Sequence, residues 1–215
     1  MINKYSCINI YKNKSNNSKL SSQILYGEKF QILKRYKNWF KIKTSYDKYT
    51  GFIKQKKFEG LIHKPTHKVS SLKAKVFLRP SKTSQVKMKL SFTSLIQVKS
   101  SNKGFLNFDN YWIQKSDVVP LNYKEKIFQR VNIFKNVKYK WGGKSFDGVD
   151  CSGLIQLFYK FNNLYCPRDT GPQFKYFKKL RSIKKDAIIF WKGHVAVCVS
   201  KKKLIHSYGQ RKEVI

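Results

Sequence analysis

Acidic side chains are scarce in this chain of 215 residues. It has 11 Asp and Glu against 46 Lys and Arg, which gives a net charge of +35. Such a surplus attracts polyanions of every kind, including nucleic acids, anionic lipids and acidic wall polymers, without selecting among them. Only six of the basic residues are arginine, although the bidentate guanidinium suits a dedicated phosphate reader better than lysine does. The charge alone therefore predicts a solvated basic surface and no particular partner.

Long apolar runs are also missing. No segment approaches the roughly 20 apolar residues of a membrane span. Residues 1–30 hold no apolar run of signal-peptide length. Four cysteines are present, and none lies in a Cys-x-x-Cys pair: Cys7, Cys151, Cys166 and Cys198. Because free thiols suit a reducing compartment, we expect a cytoplasmic protein without a membrane span.

Metal-ligand spacing is absent as well. The cysteines suggest neither a zinc site nor a disulfide framework. His63 and His67 flank Pro65, which disfavours the helix that would bring both imidazoles to one ion. No metal and no other cofactor is therefore predicted, and residues 63–67 are interpreted as a linker.

Short apolar alternations separated by polar turns fill two stretches of the chain. The first stretch has them at residues 30–33, 40–44 and 51–53, and the second at residues 95–98, 105–108 and 111–113. Strands at this spacing indicate small β-barrels. We predict one all-β barrel over residues 1–64 and a second over residues 65–120.

The pattern changes after Pro120. Ile127, Phe128, Val131 and Phe134 form an apolar stripe that predicts a helix over residues 123–134. A second helix is predicted from near Cys151 to a point before Pro167. Residues 188–191, 194–199 and 204–206 follow as strands. A helix that bears a cysteine, packed on antiparallel strands that bear histidines, gives an α+β domain over residues 121–215.

The start of the second helix is a candidate reaction centre. Asp150 or Ser152 could cap a helix that begins at Cys151, and a helix start favours a thiolate and leaves N–H groups for an oxyanion. His194 heads one strand and His206 lies in the next, so a hairpin could place the two imidazoles side by side. A cysteine and a histidine in such positions can also serve packing alone, and the spacing leaves both interpretations open.

Residues 139–154, YKWGGKSFDGVDCSGL, resemble the nucleophile motif of the NlpC-type cell-wall peptidases. The likeness continues in order through residues 167–170, Gln173, residues 190–195 and residues 205–206. Upstream, the chain resembles the first bacterial SH3-like domain of the subgroup that recycles wall peptides, at residues 26–28, Trp39 and residues 49–52. Residues 65–67 resemble the inter-domain link of that subgroup.

The resemblance implies a papain-like fold and a cysteine peptidase. Cys151 would be the nucleophile, His194 the general base and His206 the residue that orients it, while Tyr139 would support the oxyanion. The family cleaves the bond between the γ-carboxyl of D-glutamate and a diamino acid. The family also usually continues with a further strand, whereas this chain ends nine residues after His206.

The resemblance also implies a substrate, a murein tripeptide with a free N-terminal L-alanine. Tyr49 and a buried carboxylate, Asp169, would hold its amine, since a substrate ammonium costs much free energy to bury unpaired. Thr170, which stands where serine is usual, would line the same site. Three further residues are predicted to contact substrate: Asp150, Ser152 and Trp141.

Three alternatives remain at this stage. Residues 174–185 interleave aromatic and basic side chains, which is typical of single-stranded nucleic-acid binding and also of a basic helix with an apolar stripe. A non-catalytic wall-binding protein is a second alternative. A third is amide hydrolysis or acyl transfer on another substrate, because one fold hosts several reactions.

Overall fold

The computed structural model describes residues 1–58, 60 and 64–215. His63 of the predicted linker lies outside the described residues. The chain forms two compact units, Met1–Tyr123 and Lys124–Ile215. The finer division at residues 64/65 and 120/121 stays a prediction.

The first unit begins with a five-stranded antiparallel sheet. Its strands are β1 (Cys7–Tyr11), β2 (Leu20–Leu25), β3 (Phe30–Arg35), β4 (Trp39–Thr44) and β5 (Thr50–Lys54). They run in the order β2-β1-β5-β4-β3. One face buries alternate apolar side chains such as Ile10, Ile42 and Ile53, all of which are fully buried. Because side chains alternate between the two faces, the opposite face carries Lys41 and Lys43 together with the aromatic rings of Tyr11, Trp39 and Phe52.

The same unit continues with β6 (His67–Val69), β7 (Lys73–Phe77), β8 (Val86–Ser91), β9 (Leu95–Ile96), β10 (Ser100–Asn102), β11 (Phe105–Phe108), β12 (Tyr111–Gln114) and β13 (Val118–Pro120). They form a five-stranded sheet, β10-β11-β12-β7-β8, and a three-stranded sheet, β13-β6-β9. A 3₁₀ turn at Lys115–Asp117 precedes β13. Each of the six alternating segments noted in the sequence contains a strand.

The second unit mixes helices and strands. Its elements are β14 (Lys144–Ser145), β15 (Gly148–Val149), α1 (Cys151–Phe161), α2 (Thr170–Tyr176), β16 (Ile188–Trp191), β17 (His194–Ser200), β18 (Lys203–Ile205), β19 (Ser207–Tyr208) and β20 (Glu213–Val214). The antiparallel sheet β16-β17-β18 packs against α1. Because α1 carries Cys151 at its first position and β17 carries His194 at its first position, this packing joins the two candidate residues.

The helix predicted over residues 123–134 is wrong. The segment instead turns through successive bonds between residues three apart, and its last part is a 3₁₀ turn at Val131–Phe134. The apolar side chains are still buried, since Phe128 and Phe134 pack edge-on against Phe158 of α1. Tertiary packing thus buries the apolar side chains without a helix. The β-branched and Asn residues of the segment have a low helix propensity, which agrees with this result.

Across the part of the chain that the structure describes, no helix combines the length and the apolar character needed to cross a membrane.

Candidate functional site

The first turn of α1 is held by its cap and by close backbone approaches. The Asp150 side chain accepts a hydrogen bond of 2.7 Å from the N–H of Gly153, which is the N-cap geometry. A Cβ added to Gly153 would lie 2.5 Å from the Gly143 carbonyl oxygen. A side chain at position 153 would therefore displace the Gly142–Gly143 turn, which explains why glycine follows the cysteine motif here.

Arg168 ties this turn to the segment before α2. Its guanidinium donates to both oxygens of Asp150, at 2.9 and 2.8 Å, and to the Ser152 hydroxyl at 3.0 Å. Asp150 also accepts from the N–H of Gly142 at 2.8 Å. Arg168 is only 3% exposed, so this bidentate ion pair is a buried one whose loss would strand a carboxylate.

Sequence reasoning assigned no role to Arg168, although it lies in the matched segment 167–170. Its signal was an arginine beside Asp169 in a chain whose basic residues are mostly lysine. Asp150 and Ser152 are buried and bonded to it. Their predicted substrate contact stays a prediction, and the contacts seen here support the first turn of α1.

The Cys151 sulfur lies at the junction of α1, α2 and β17. It is 3.8 Å from the Thr170 hydroxyl, and the backbone N–H groups of Val195 and Ser152 also approach it. Burial, and then the charge of Asp150, raise the pKa of the Cys151 thiol, while these three hydrogen bonds oppose the rise. Burial therefore favours the neutral thiol, and a neighbouring base would help to form the thiolate.

The two histidines are in direct contact. Nε2 of His194 lies 2.7 Å from Nδ1 of His206, as the predicted hairpin allowed. Burial, and then the neighbouring His206, lower the pKa of His194, and burial lowers the pKa of His206. Both rings are therefore neutral near pH 7. If His194 donates its Nε2–H to His206, its Nδ1 is left free to accept a proton.

Aromatic rings and the end of the chain hold the imidazoles. The Tyr208 ring stacks on His206 at a centroid distance of 5.0 Å, and the Trp191 ring lies 5.0 Å from His194. The backbone of His206 exchanges two hydrogen bonds of 3.0 Å with Ile215. Directly after His206, β19 and β20 form a short hairpin.

The remaining predicted site residues differ in burial and in the compact unit to which they belong. Tyr139 is half-buried, and burial, followed by the charges of Cys151 and Asp150, raises its pKa to about 12. Trp141 is 65% exposed. Tyr49 belongs to the other compact unit and packs on that unit's first core. Their substrate contacts stay predictions.

The description of Asp169 as a buried carboxylate is wrong. It is exposed at the N-cap position of α2, with no side-chain hydrogen bond to the helix. The cause is local, because Asp169 lies between the buried Arg168 and a solvent-facing first turn of α2. Solvent will therefore weaken any ion pair that Asp169 makes with a substrate ammonium.

Within the described residues, no cluster of three or more His, Cys, Asp or Glu side chains is arranged to hold a metal ion.

Comparisons with known proteins bear on this arrangement. Residues 136–215 match the NlpC/P60 family, and residues 10–58 match the bacterial dipeptidyl-peptidase Sh3 domain. Residues 136–215 thus form an NlpC/P60 domain that follows an Sh3 domain, and the protein is a hydrolase of this cysteine-peptidase class. A hydrolase domain favours an enzyme over the non-catalytic wall-binding alternative, and nucleic-acid binding stays an untested alternative.

Curated relatives extend over most of the chain. A Bacillus subtilis protein named gamma-D-glutamyl-L-lysine dipeptidyl-peptidase is 28% identical, and the match covers 87% of this chain and 72% of the relative. Dipeptidyl-peptidase 6 of Lysinibacillus sphaericus is 26% identical, with 93% of this chain and 84% of the relative covered.

A solved structure has the same fold. The crystal structure of an NlpC/P60 family protein from Bacillus cereus superposes with a TM-score of 0.86 at 19% identity, and it covers 100% of this chain and 92% of that one. The likeness concerns the fold alone, and it shows that a protein of this family shares the arrangement of strands and helices described above.

Proposed function

We propose that this protein hydrolyses the bond between the γ-carboxyl of D-glutamate and a diamino acid in peptides released from peptidoglycan. Cys151 is the proposed nucleophile, His194 the general base and His206 the orienting residue. The contact between Nε2 of His194 and Nδ1 of His206 carries the proposal. It leaves Nδ1 of His194 as the free base on β17, whose next residue, Val195, approaches the Cys151 sulfur.

The proposed reaction has two steps. His194 takes the thiol proton on Nδ1 while the Cys151 sulfur attacks the γ-carbonyl carbon, and the carbon–nitrogen bond breaks as His194 passes that proton to the departing amine. The remaining thioester is opened by a water molecule, whose proton goes to His194 and then to the sulfur. In both steps His206 accepts the Nε2–H of the imidazolium and so holds its ring orientation.

Stabilisation of the oxyanion comes from the start of α1 in this proposal. First-turn N–H groups have no acceptor inside a helix, so the Cys151 N–H can donate to a developing negative charge. Tyr139 is a second proposed donor. Its raised pKa keeps the phenol protonated through the physiological range.

The substrate class rests on the relatives. These relatives are named as dipeptidyl-peptidases, and two of the names specify gamma-D-glutamyl-L-lysine. A dipeptidyl-peptidase releases two residues from a free amino terminus, which agrees with the proposed recognition of an L-alanine amine by Tyr49 and Asp169. Recycling of wall peptides in the cytosol is the corresponding proposed role.

Two finer features of the fold belong to the proposal. We propose that the second group of sheets, β6–β13, is another SH3-like barrel, since it repeats the five-stranded antiparallel arrangement of the first. We also propose that the second unit is papain-like, with the helix that bears Cys151 packed on the sheet that bears His194.

The deciding experiment uses L-Ala-γ-D-Glu-meso-diaminopimelate and its lysine counterpart with the reduced protein. We expect release of L-Ala-D-Glu and the free diamino acid, measured by mass spectrometry. The N-acetylated peptides serve as controls for the free amine. Intact peptides after long incubation at neutral pH would refute the proposed substrate class.

A further inference from the structure

A cavity of about 470 Å³ opens in the second unit beside the reacting groups. Thr170, whose hydroxyl lies 3.8 Å from the Cys151 sulfur, contributes to its wall. Gly193, which directly precedes His194, is another lining residue. A group bound in this cavity therefore lies close to the segments that carry Cys151 and His194.

The cavity wall is aromatic. Phe174 and Phe190 meet edge-on with ring centroids 5.7 Å apart, and Trp191 continues the surface toward His194. Phe174 is 55% exposed and Trp191 is 46% exposed. Exposed aromatic rings that line one concave surface are typical of a ligand site rather than of a solvated loop.

Charge in the cavity has a single sign. Among the lining residues that the structure describes, Lys192 is the one with an ionisable side chain. It lies at the turn between β16 and β17, where Gly193 adopts a positive φ of 74°. The Lys192 side chain is exposed, and its charge beside the aromatic walls gives the cavity a net attraction for anions.

We propose that this cavity is a carboxylate subsite for the peptide and that Lys192 is its recognition residue. The inference rests on the proposed function. In that peptide the α-carboxylate of D-glutamate stays free, because the scissile bond uses the γ-carboxyl. Diaminopimelate carries a second carboxylate at the far end of its side chain, where lysine carries only an ammonium group.

The subsite would select between diamino acids if it takes the far carboxylate. A lysine side chain would then bring a second ammonium beside Lys192, and like charges repel at short range. If it takes the glutamate α-carboxylate instead, Lys192 would serve both peptides equally. In both cases the bound group is a carboxylate. Peptides that lack one or the other carboxylate distinguish the two possibilities.

The test combines three peptides with matched variants. The parent is L-Ala-γ-D-Glu-meso-diaminopimelate, the second peptide replaces D-glutamate by D-isoglutamine, and the third replaces diaminopimelate by L-lysine. Lys192→Met removes the cation at similar length, and Lys192→Arg keeps it. Lys201→Met, in the exposed turn between β17 and β18, makes the same change of net charge away from the cavity.

We expect Lys192→Met to raise KM for the parent about tenfold with little change in kcat. Each of the other two peptides lacks one carboxylate of the parent. Lys192→Met should abolish the preference for the parent over one of them, and the carboxylate missing from that peptide is the one that Lys192 binds. Lys192→Arg and Lys201→Met should keep that preference. Equal effects of Lys192→Met and Lys201→Met, or an unchanged preference in Lys192→Met, would overturn the subsite.

Calorimetric binding to Cys151→Ala protein separates this inference from the proposed function. Peptides that bind through Lys192 but are not cleaved by the unmodified enzyme would contradict the proposed reaction and leave the subsite standing. Peptides that are cleaved without any dependence on Lys192 would leave the reaction standing and remove the subsite.

Discussion

The cysteine and the two histidines reach the site from segments that are anchored by different forces. Cys151 lies at the start of an eleven-residue helix whose cap, Asp150, is locked by a buried bidentate arginine. His194 and His206 lie at the ends of short strands and are held by ring contacts and by backbone bonds to Ile215. The part of the site around Asp150, Cys151 and Arg168, called the helix half below, depends on a buried charge pair. The part that carries His194 and His206, called the hairpin half below, depends on the short hairpin that follows His206.

This difference separates two tasks of the same site. The helix half fixes where the sulfur and the proposed oxyanion donors lie, because the capped first turn cannot shift without breaking the Arg168 contacts. The hairpin half fixes which nitrogen of His194 is free. In both halves burial favours the neutral form, with the pKa of the thiol raised and the pKa values of both imidazoles lowered. In the proposed mechanism the thiol proton must therefore move to His194 as the sulfur attacks.

Removal of the reacting groups should have the largest effect. Cys151→Ala should lower kcat for the tripeptide by about 10⁴-fold or more, because residues of one catalytic unit fail together. His194→Ala should match it, and the double variant should be no worse than either single one. Circular dichroism of each variant controls for folding. Additive losses would show that the two residues do not act as a unit.

The hairpin half can be tested through the imidazole contact. His206→Ala should lower kcat by about 10²–10³-fold, since the base loses the acceptor that orients it. His206→Asn should recover much of this loss, because its side-chain oxygen can take the place of Nδ1 as acceptor. Equal losses in the two variants would mean that His206 acts through ring packing against Tyr208 and not through orientation.

The helix half can be tested through Arg168. Arg168→Met should lower the free energy of unfolding by about 3–5 kcal/mol, because it leaves the Asp150 carboxylate buried and unpaired. Activity of the folded fraction should fall less, by about tenfold, as the sulfur shifts. Urea unfolding measures the first effect and tripeptide turnover the second.

The added change Asp150→Asn is the matched control for that variant. It removes the stranded charge while keeping an oxygen for the Gly153 N–H, so the double variant Arg168→Met/Asp150→Asn should regain most of the stability. A double variant as unstable as Arg168→Met would mean that Arg168 stabilises the unit by packing alone.

Local features of the site could be predicted from the sequence, whereas contacts between distant residues could not. The helix start at Cys151 and the neighbouring histidines were readable because capping, alternation and turns are local patterns. Arg168 was not assigned a role, since its partner Asp150 lies 18 positions earlier and only the folded chain brings them together. The helix prediction over residues 123–134 was wrong for a related reason. Contacts with Phe158 of α1 determine the conformation of that segment, and the local apolar pattern does not contain them.

The pH profile sharpens the electrostatic part of the comparison. His194 acts as a base only when neutral, and its pKa is lowered from the ordinary value of about 6.5. The acidic limb of kcat/KM should therefore lie below that value, with activity lost as the pH falls through it. His206→Asn removes a neighbour that lowers the pKa of His194, so the limb should move toward higher pH. An unmoved limb would assign it to another group.

Recognition of the substrate amine should show the smallest effect, since Asp169 is exposed and not part of either anchored half. Asp169→Asn should raise KM for the free-amine tripeptide about fivefold, which corresponds to a solvent-screened ion pair of about 1 kcal/mol. The N-acetylated peptide should be cleaved equally by both forms, and Asp147→Asn, which neutralises another carboxylate of the same unit, serves as the charge-matched control. A larger rise in KM would mean that bound substrate shields Asp169 from solvent and completes the buried carboxylate site that the free protein lacks.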